Sequence, residues 1–361
     1  MAFDLIKLLT DVFDPQPGEV VTVACDVPRA LGEDTPAWQE RRAMAAEWQR
    51  AFTALGRGRS FAVRPLFTFR ASGANGAELP AIGSMAGQTV PLRDTLLGST
   101  LAVLLTEYSA TAPLDVLSHM KEDFRAASMP GVEKRMERTA LSADHHEVAR
   151  RCKILEDILR GAVTLEVAFS TGHRCSFDLR FRKPEVDDGV LPRFKPGDRV
   201  INLPSGETFI VPYEGEQAGS RSQTAGMIPV RQGQELMSYI VEENRIVKVE
   251  GNGPTARTMR AFFAADPART NIAEVAFGCN EWAQVTGNVL EDEKAGFHWA
   301  YGRSDHLGGV TGVAQFIQPD TVVHQDVVYA KGNPIQIAEA TAVRQDGSRT
   351  RIIRNGAYVV F

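Results

Sequence analysis

The first part of the chain alternates between strand-like and helix-like segments. A β-branched run, EVVTVACD (19–26), follows Pro17-Gly18, and the next segment is TPAWQERRAMAAEWQRAFTALG (35–56). Large apolar residues recur in that second segment at helical spacing, behind a threonine that can cap a helix. Because strands that alternate with helices pack as layers, this order predicts an α/β layer domain with a mostly parallel sheet.

The same alternation continues as far as residue 159. We predict further elements in four segments: strands at 60–69 and 101–109, and helices at 114–125 and 143–159. The 182–200 segment is rich in proline, glycine and mixed charge, which is typical of a loop or linker. A chain of 361 residues is long enough for two domains. We therefore predict an N-terminal α/β domain at 1–161 and a second domain at 162–361.

Segments of the second domain are shorter and richer in turns. In SYIVEENRIVKVEG (238–251), Glu243-Asn244 is predicted to form the tip of a hairpin between two alternating strands. A helix is predicted at Thr255–Ala265, after Gly253-Pro254. The second domain is thus predicted to have an α+β fold dominated by strands.

Composition excludes several classes of partner. The chain is 43% hydrophobic and 24% charged, with a net charge of -5, and it has no basic run with interleaved aromatic residues. We therefore expect no nucleic-acid partner. The N-terminal stretch has acidic residues among its apolar ones, which predicts an amphipathic helix rather than a signal peptide. No uncharged apolar stretch is long enough to span a membrane. Four scattered cysteines form no CxxC pair, so we expect a reducing, cytoplasmic location.

Two ligand-type side chains stand two positions apart in VVHQD (322–326). On a strand the side-chain period is two, so His324 and Asp326 project from one face. A solvated sheet face would explain this pattern without any site. Valines on both sides of the pair favour burial instead, and an unpaired buried carboxylate is costly.

Three more acids and one more histidine have a suitable local context. In GNVLEDEKAGFHWAYG (287–302), Glu293 precedes an Ala-Gly turn and His298 follows it, so both can point at one place. Glu207 follows a Pro-Ser-Gly turn at the first position of an apolar strand. Glu274 lies inside the apolar run NIAEVAFG (271–278). Taken singly, each acid is as well explained by exposure to water.

Other histidines and glycines carry weaker signals. SADHHEVARR (142–151) is predicted to be an exposed first turn of a helix, and His173 is predicted to be a satisfied polar side chain. GANGAELPAIGS (73–84) lacks the lysine and the glycine spacing of phosphate-binding loops, so we expect a surface loop. No GxSxG elbow occurs in the sequence.

An ordered set of motifs in the second half resembles the M29, or aminopeptidase T, family of thermophilic-type metallo-aminopeptidases. From about residue 171 to the end, these motifs occur in the family's order: NLPSGETFIVP, IAEVAFG, GNVLEDEKAGFHWAYG, Gly308-Gly309, VVHQD and QDGSRTRIIRNGAY. The N-terminal half fits the family more loosely, through its α/β pattern.

The resemblance implies a set of six metal ligands in the C-terminal domain. Matched motif by motif, they are Glu207, Glu274, Glu293, His298, His324 and Asp326. The family implies two divalent metal ions, and such an oxygen-rich set suits Zn²⁺, Mn²⁺ or Co²⁺ without strong selection among them. It further implies a homodimer that releases N-terminal residues from peptides, using a metal-activated water. No catalytic residue beyond the ligands is predicted.

The sequence departs from the family pattern at two places near the predicted site, and a related family offers a second function. The family has a tyrosine at the position that Asp305 occupies in this chain. His306 follows it, and the nearest tyrosine is Tyr301. The loop GGVTGVAQF (308–316) also differs from the family's version. Related 2,5-dihydroxypyridine dioxygenases hold one Fe(II) by a His, His, Asp triad, with histidine where this chain has Glu274. Glutamate at 274 favours the hydrolase over such a ring-cleaving dioxygenase, while hydrolysis of a non-peptide amide stays open.

Overall fold

The computed structural model describes residues 3–361, apart from the side chain of Leu31. The chain forms two compact units. The first comprises the described residues up to Ala149 together with Asp187–Gly206 and Asn280–Lys294. The second comprises Arg150–Val186, Glu207–Cys279 and Ala295–Phe361. The domain boundary predicted at residues 161 and 162 stays a prediction.

Helices and strands are numbered along the chain. The α-helices are α1 Leu5–Phe13, α2 Pro36–Arg59, α3 Leu92–Leu97, α4 Thr111–Met120, α5 His145–Leu159, α6 Pro254–Ala265 and α7 Val289–Asp292. The strands are β1 Val20–Val27, β2 Ala62–Val63, β3 Phe67–Arg70, β4 Ile82–Met85, β5 Gln88–Pro91, β6 Leu101–Thr106, β7 Arg125–Pro130, β8 Ala162–Phe169, β9 Arg174–Asp178, β10 Glu185–Asp187, β11 Val200–Asn202, β12 Glu207–Ile210, β13 Ala225–Gln232, β14 Glu235–Glu242, β15 Arg245–Glu250, β16 Ile272–Gly278, β17 Gly296–Gly302, β18 His324–Ala330, β19 Ile337–Arg344, β20 Arg349–Arg354 and β21 Ala357–Tyr358. Short 3₁₀ helices lie at Leu31–Glu33, Lys134–Arg138, Ala140–Ser142, Pro267–Thr270, Glu293–Ala295, Asp305–Leu307, Val313–Gln315 and Pro319–Thr321.

The first unit is built on a mixed, mostly parallel sheet, as the sequence predicts. Its strand order is β11-β7-β6-β1-β3-β4-β5, with β2 beside β1. Neighbouring strands from β11 to β3 pair in parallel, whereas the β3–β4 and β4–β5 pairs are antiparallel. All six residues of β6 are buried. Apolar clusters cover both faces of this sheet, one around Trp48 of α2 and one around Leu114 of α4. Burial on both faces explains why these strands have continuous apolar sequences.

Several boundaries in the first unit differ from the predicted ones. The predicted strand at 60–69 is broken into β2 and β3 around Pro65, which has no N–H to donate to a ladder. The helix predicted at 114–125 begins at Thr111 and ends at Met120, and Arg125 instead begins β7. The sequence of β7, RAASMP, is rich in small residues and carries little strand propensity. The predicted linker at 182–200 contains β10 and ends at the first residue of β11.

The second unit is rich in antiparallel strands, in agreement with the predicted α+β fold. An eight-stranded sheet has the order β15-β14-β13-β9-β8-β19-β20-β21, and a five-stranded sheet has the order β10-β12-β16-β17-β18. The predicted hairpin joins β14 to β15, where Glu243 and Asn244 have φ angles of 48° and 67°. Two successive left-handed residues are typical of a tight hairpin turn. Across residues 3–361, no helix is both long and apolar enough to cross a membrane.

Candidate metal centre

The five-stranded sheet brings five of the predicted ligands onto one face. Register pairs Glu274 with Ala300 across β16 and β17, and it pairs Ala300 with Asp326 across β17 and β18. Because the side-chain period of a strand is two, His298 and His324 project from the same face as these two acids. The short side chain of Ala300 leaves space between the two carboxylates. Glu207, the first residue of β12, joins this face opposite Gly278.

The position of Gly302, at the end of β17, has no room for a side chain. Its φ angle is +107°, and a Cβ atom at this position would lie 2.1 Å from the carbonyl oxygen of Val323. Gly302 pairs with His324 in the ladder between β17 and β18. A glycine at this position therefore lets β18 begin at His324 and places that imidazole on the site face.

Glu207, Glu274 and His298 form the first group, which we call the inner group. One potential ligand atom from each of these residues lies within 4.8 Å of the other two. His298 Nε2 lies 3.3 Å from Glu207 Oε2 and 3.8 Å from Glu274 Oε1. All three side chains are buried, and that of His298 is only 1% exposed.

Glu274, His324 and Asp326 form the second group, which we call the outer group. Their ligand atoms also lie within 4.8 Å of one another. His324 Nε2 lies 3.1 Å from Glu274 Oε2 and 3.7 Å from Asp326 Oδ1. The His324 side chain is 21% exposed. Glu274 belongs to both groups, with Oε1 nearer His298 and Oε2 nearer His324.

Both histidines are oriented by backbone carbonyl groups. His298 Nδ1 lies 3.2 Å from Gly296 O, and His324 Nδ1 lies 2.7 Å from Arg303 O. A neutral imidazole that donates its Nδ1–H to a carbonyl oxygen has its Nε2 lone pair free for a cation. In both residues Nε2 is the atom that faces the carboxylates, which is the arrangement that metal-ligating histidines need.

Without a bound cation, the carboxylates favour protonated imidazoles. Burial alone would lower the pKa of His298, but Glu207, with smaller contributions from Glu274 and Asp326, raises it to about 9. Burial likewise opposes protonation of His324, yet Asp326 and Glu274 raise its pKa well above the usual value. Burial would raise the pKa of Asp326, but His324 lowers it. The site thus has an excess of negative charge that a cation can neutralise.

The donor set fits divalent metal ions. Three carboxylates and two imidazoles converge on one sheet face, and hard oxygen ligands combined with imidazole nitrogens suit Zn²⁺, Mn²⁺ or Co²⁺. The two oxygens of Glu274 face different histidines, so this carboxylate can serve both groups. The inner and outer groups could therefore hold one ion each.

Glu293, the sixth predicted ligand, is in neither of these groups. It belongs to the first unit and begins a short 3₁₀ helix just before β17. Lys294 Nζ lies 2.7 Å from Glu293 Oε1 and 3.2 Å from Asp187 Oδ2. The ligand role of Glu293 stays a prediction.

His306 lies beside the outer group, although the sequence marks it only as the neighbour of Asp305. Its ring centroid is 5.0 Å from that of His324, and the two rings meet edge to face. Burial lowers the pKa of His306 to about 4, and the positive charges of His324 and Arg303 act in the same direction. Tyr301 projects from the opposite sheet face, where its ring packs on Phe262 and Phe263.

The remaining histidine candidates lie elsewhere. His145, predicted to be exposed, is only 2% exposed in the first unit, and burial lowers its pKa to about 4. The prediction of an exposed turn was therefore wrong for His145, whereas the neighbouring His146 is exposed. Asp144 accepts the backbone N–H groups at the start of α5. His173 is a satisfied polar side chain, with Nδ1 2.7 Å from Thr171 Oγ1 and Nε2 3.3 Å from Ser238 Oγ.

Fold and site together define an α/β protein with a strand-rich second unit, in which buried glutamate and histidine side chains could bind metal. Two solved enzyme structures are similar to it over almost the whole chain. The 2,5-dihydroxypyridine dioxygenase from Pseudomonas putida KT2440 superposes with a TM-score of 0.64 at 16% identity, covering 98% of this chain and 96% of the dioxygenase. Wild-type AmpT from Thermus thermophilus superposes with a TM-score of 0.55 at 14% identity, covering 98% of both chains.

These likenesses show a shared fold. Comparison of the sequence with protein-family models and with curated proteins found no match. Because the same fold contains an aminopeptidase and a ring-cleaving dioxygenase, it does not by itself assign a reaction. The assignment of a reaction therefore depends on the chemistry of the site residues.

Proposed function

We propose that this protein is a metal-dependent hydrolase that releases N-terminal residues from peptides, with one divalent ion in each of the two groups. The observation that carries this proposal is the position of Glu274. Its two carboxylate oxygens face two different histidines, His298 and His324, each of which has its Nδ1 beside a backbone carbonyl. A carboxylate shared in this way is suited to holding two ions side by side.

Glu207 and His298 would complete the inner ion's ligands, and His324 and Asp326 would complete those of the outer ion. Bound divalent ions would supply Lewis acidity and a water that is acidic enough to attack near neutral pH. The carbonyl groups of Gly296 and Arg303 would keep the two imidazoles oriented through the reaction. The free amine of a substrate would approach the outer group, because this group is the more exposed of the two.

Metal quantification on protein purified without chelators tests the proposal. We expect close to two divalent ions per chain, and hydrolysis of aminoacyl-amides or short peptides. One iron per chain, with activity only when O₂ and a hydroxypyridine are present, would contradict it. A homodimeric assembly also remains a proposal, and light scattering of the metal-loaded protein would test it.

A ring-cleaving dioxygenase is the second candidate, because the dioxygenase structure superposes with a TM-score of 0.64. The outer group alone could hold one ion. It offers one imidazole and two carboxylates, however, whereas the usual Fe(II) triad has two imidazoles and one carboxylate. The inner group would also have no role in a one-iron site. Both differences favour the hydrolase.

A further inference from the structure

The loop that follows β17 carries a histidine beside the candidate metal centre. We call residues 304–312 the His306 loop. The His306 ring contacts the His324 ring edge to face, at 5.0 Å between centroids, and its side chain is 38% exposed. His306 Nδ1 lies 3.7 Å from Asp305 Oδ1, and within residues 3–361 no group hydrogen-bonds its Nε2. This partly exposed ring beside the outer group therefore has a polar atom without a protein partner among the described residues.

The buried carboxylate of Glu214 anchors this loop through hydrogen bonds. Its side chain is 2% exposed. Oε1 accepts hydrogen bonds from Ser304 Oγ at 2.8 Å and Thr311 Oγ1 at 2.7 Å, and Oε2 accepts one from Val310 N at 2.6 Å. These three partners lie at both ends of the loop. A buried carboxylate with several donors fixes the conformation of the groups that it binds.

The loop backbone is also closed on itself. Ser304 N donates to Thr311 O at 2.9 Å, and Gly309 N donates to Ser304 O at 3.0 Å. A Cβ atom at Gly309 would lie 2.2 Å from Ser304 Oγ and 2.7 Å from Glu214 Oε2, so only glycine fits there. The position of His306 next to His324 is therefore set before any ligand arrives, which lowers the entropic cost of binding one.

A purely supporting role for His306 explains only part of this arrangement. His324 is already oriented through its Nδ1 by Arg303 O at 2.7 Å, so its ring position does not need His306. An apolar side chain would give the same edge-to-face contact without a partly exposed polar edge. The partly exposed ring with its unbonded Nε2 and the anchored loop are together better explained by contact with a substrate.

We infer that His306 contacts the substrate of this site through a hydrogen bond at its imidazole Nε2, and that Glu214 acts as a positioning residue for it. This inference rests on the proposed hydrolase function. The substrate group concerned would be a polar one close to the reacting carbonyl, because His306 borders the outer group. Glu214 lies under the loop and would act only through the placement of His306.

His306→Phe tests the inference, because phenylalanine keeps a ring against His324 while removing both nitrogens. We expect two ions per chain to be retained, and kcat/KM for an aminoacyl-amide to fall about tenfold or more, as for a lost hydrogen bond to a reacting group. Glu214→Gln should retain the ions and give a smaller fall. His119→Phe is the matched control, since His119 is 72% exposed on α4 of the first unit; its kcat/KM should match that of the wild type.

A readout independent of turnover uses Co²⁺-substituted protein, titrated with free leucine and followed by visible absorption. The spectrum before titration should be the same in wild type and His306→Phe, and the leucine concentration at half-change should rise about tenfold in the variant. Loss of metal in His306→Phe, or unchanged kcat/KM and unchanged leucine binding, would overturn the inference. If wild-type protein hydrolyses no amide, the proposed function fails, and the leucine titration still decides whether His306 contacts a ligand.

Discussion

The inner and outer groups share Glu274 but differ in their surroundings. His298 is 1% exposed and is surrounded by buried carboxylates, whereas His324 is 21% exposed and adjoins a loop with a second histidine. The inner group has the features of a closed site, and the outer group has those of an open one. Closed metal sites tend to be structural, and open ones leave a position for substrate. Under the proposed function, the inner ion would mainly hold the site together and substrate would approach the outer ion.

Substitution of the shared ligand should have the largest effect. Glu274→Ala removes a ligand from both groups, so we expect metal content to fall below one ion per chain and kcat/KM to fall at least about 100-fold. Mass-spectrometric metal analysis and amide hydrolysis measure the two. Glu242→Ala is a suitable control, because Glu242 is an exposed glutamate at the end of β14. Wild-type metal content in Glu274→Ala would remove this residue from the ligand set.

The two histidines should separate the groups from each other. His298→Ala removes the buried partner of Glu207, so the metal-free protein should lose about 3 kcal/mol of unfolding free energy. His324→Ala should cost less, about 2 kcal/mol, because its side chain is 21% exposed and water can partly replace the lost contacts. Chemical denaturation of both metal-free variants gives these values. Equal losses would show that the inner and outer groups do not differ in the way that their burial indicates.

The pH dependence of the metal-free protein should report on His298. Its pKa of about 9 in the folded chain is above the usual value of 6.5. The stabilising contribution of His298 is therefore complete below pH 6.5 and is lost as the pH rises through 9, with a loss of about 3 kcal/mol. His324, whose pKa is also raised, adds to this loss. Urea denaturation between pH 6 and 10 measures it. In metal-loaded protein the same loss should be absent, since a ligating imidazole carries no proton on Nε2.

Glu293→Gln tests the sixth predicted ligand, and we expect it to have the smallest effect on metal binding among these substitutions. If Glu293 is a ligand, metal affinity should weaken about 10- to 100-fold. Competition with a chromogenic chelator measures the affinity. Wild-type affinity in Glu293→Gln would restrict the site to the five residues of the inner and outer groups.

Much of the candidate site was predictable from the sequence, because the chemistry of its residues is local. Acids and histidines within apolar strands stand out from their neighbours, and the period of two places His324 and Asp326 on one face. The strand β7 was missed because its small residues carry little propensity of their own. The burial of His145 was missed because no local pattern records the tertiary contacts that cover it. Glu214 gave no signal either, since its loop partners are 90 to 97 positions away in the sequence.

The sequence by itself determined the alternation of strands and helices in the first unit, the hairpin at Glu243-Asn244, and which acids and histidines stand within apolar strands. Only the tertiary structure decided that Glu274 belongs to both groups, that the inner group is closed and the outer one open, and that His306 borders His324. The physical reason is that side-chain direction is a local property of the backbone. Strand register and loop anchoring instead depend on hydrogen bonds between residues far apart in the chain, such as Glu274 opposite Ala300 and Ala300 opposite Asp326.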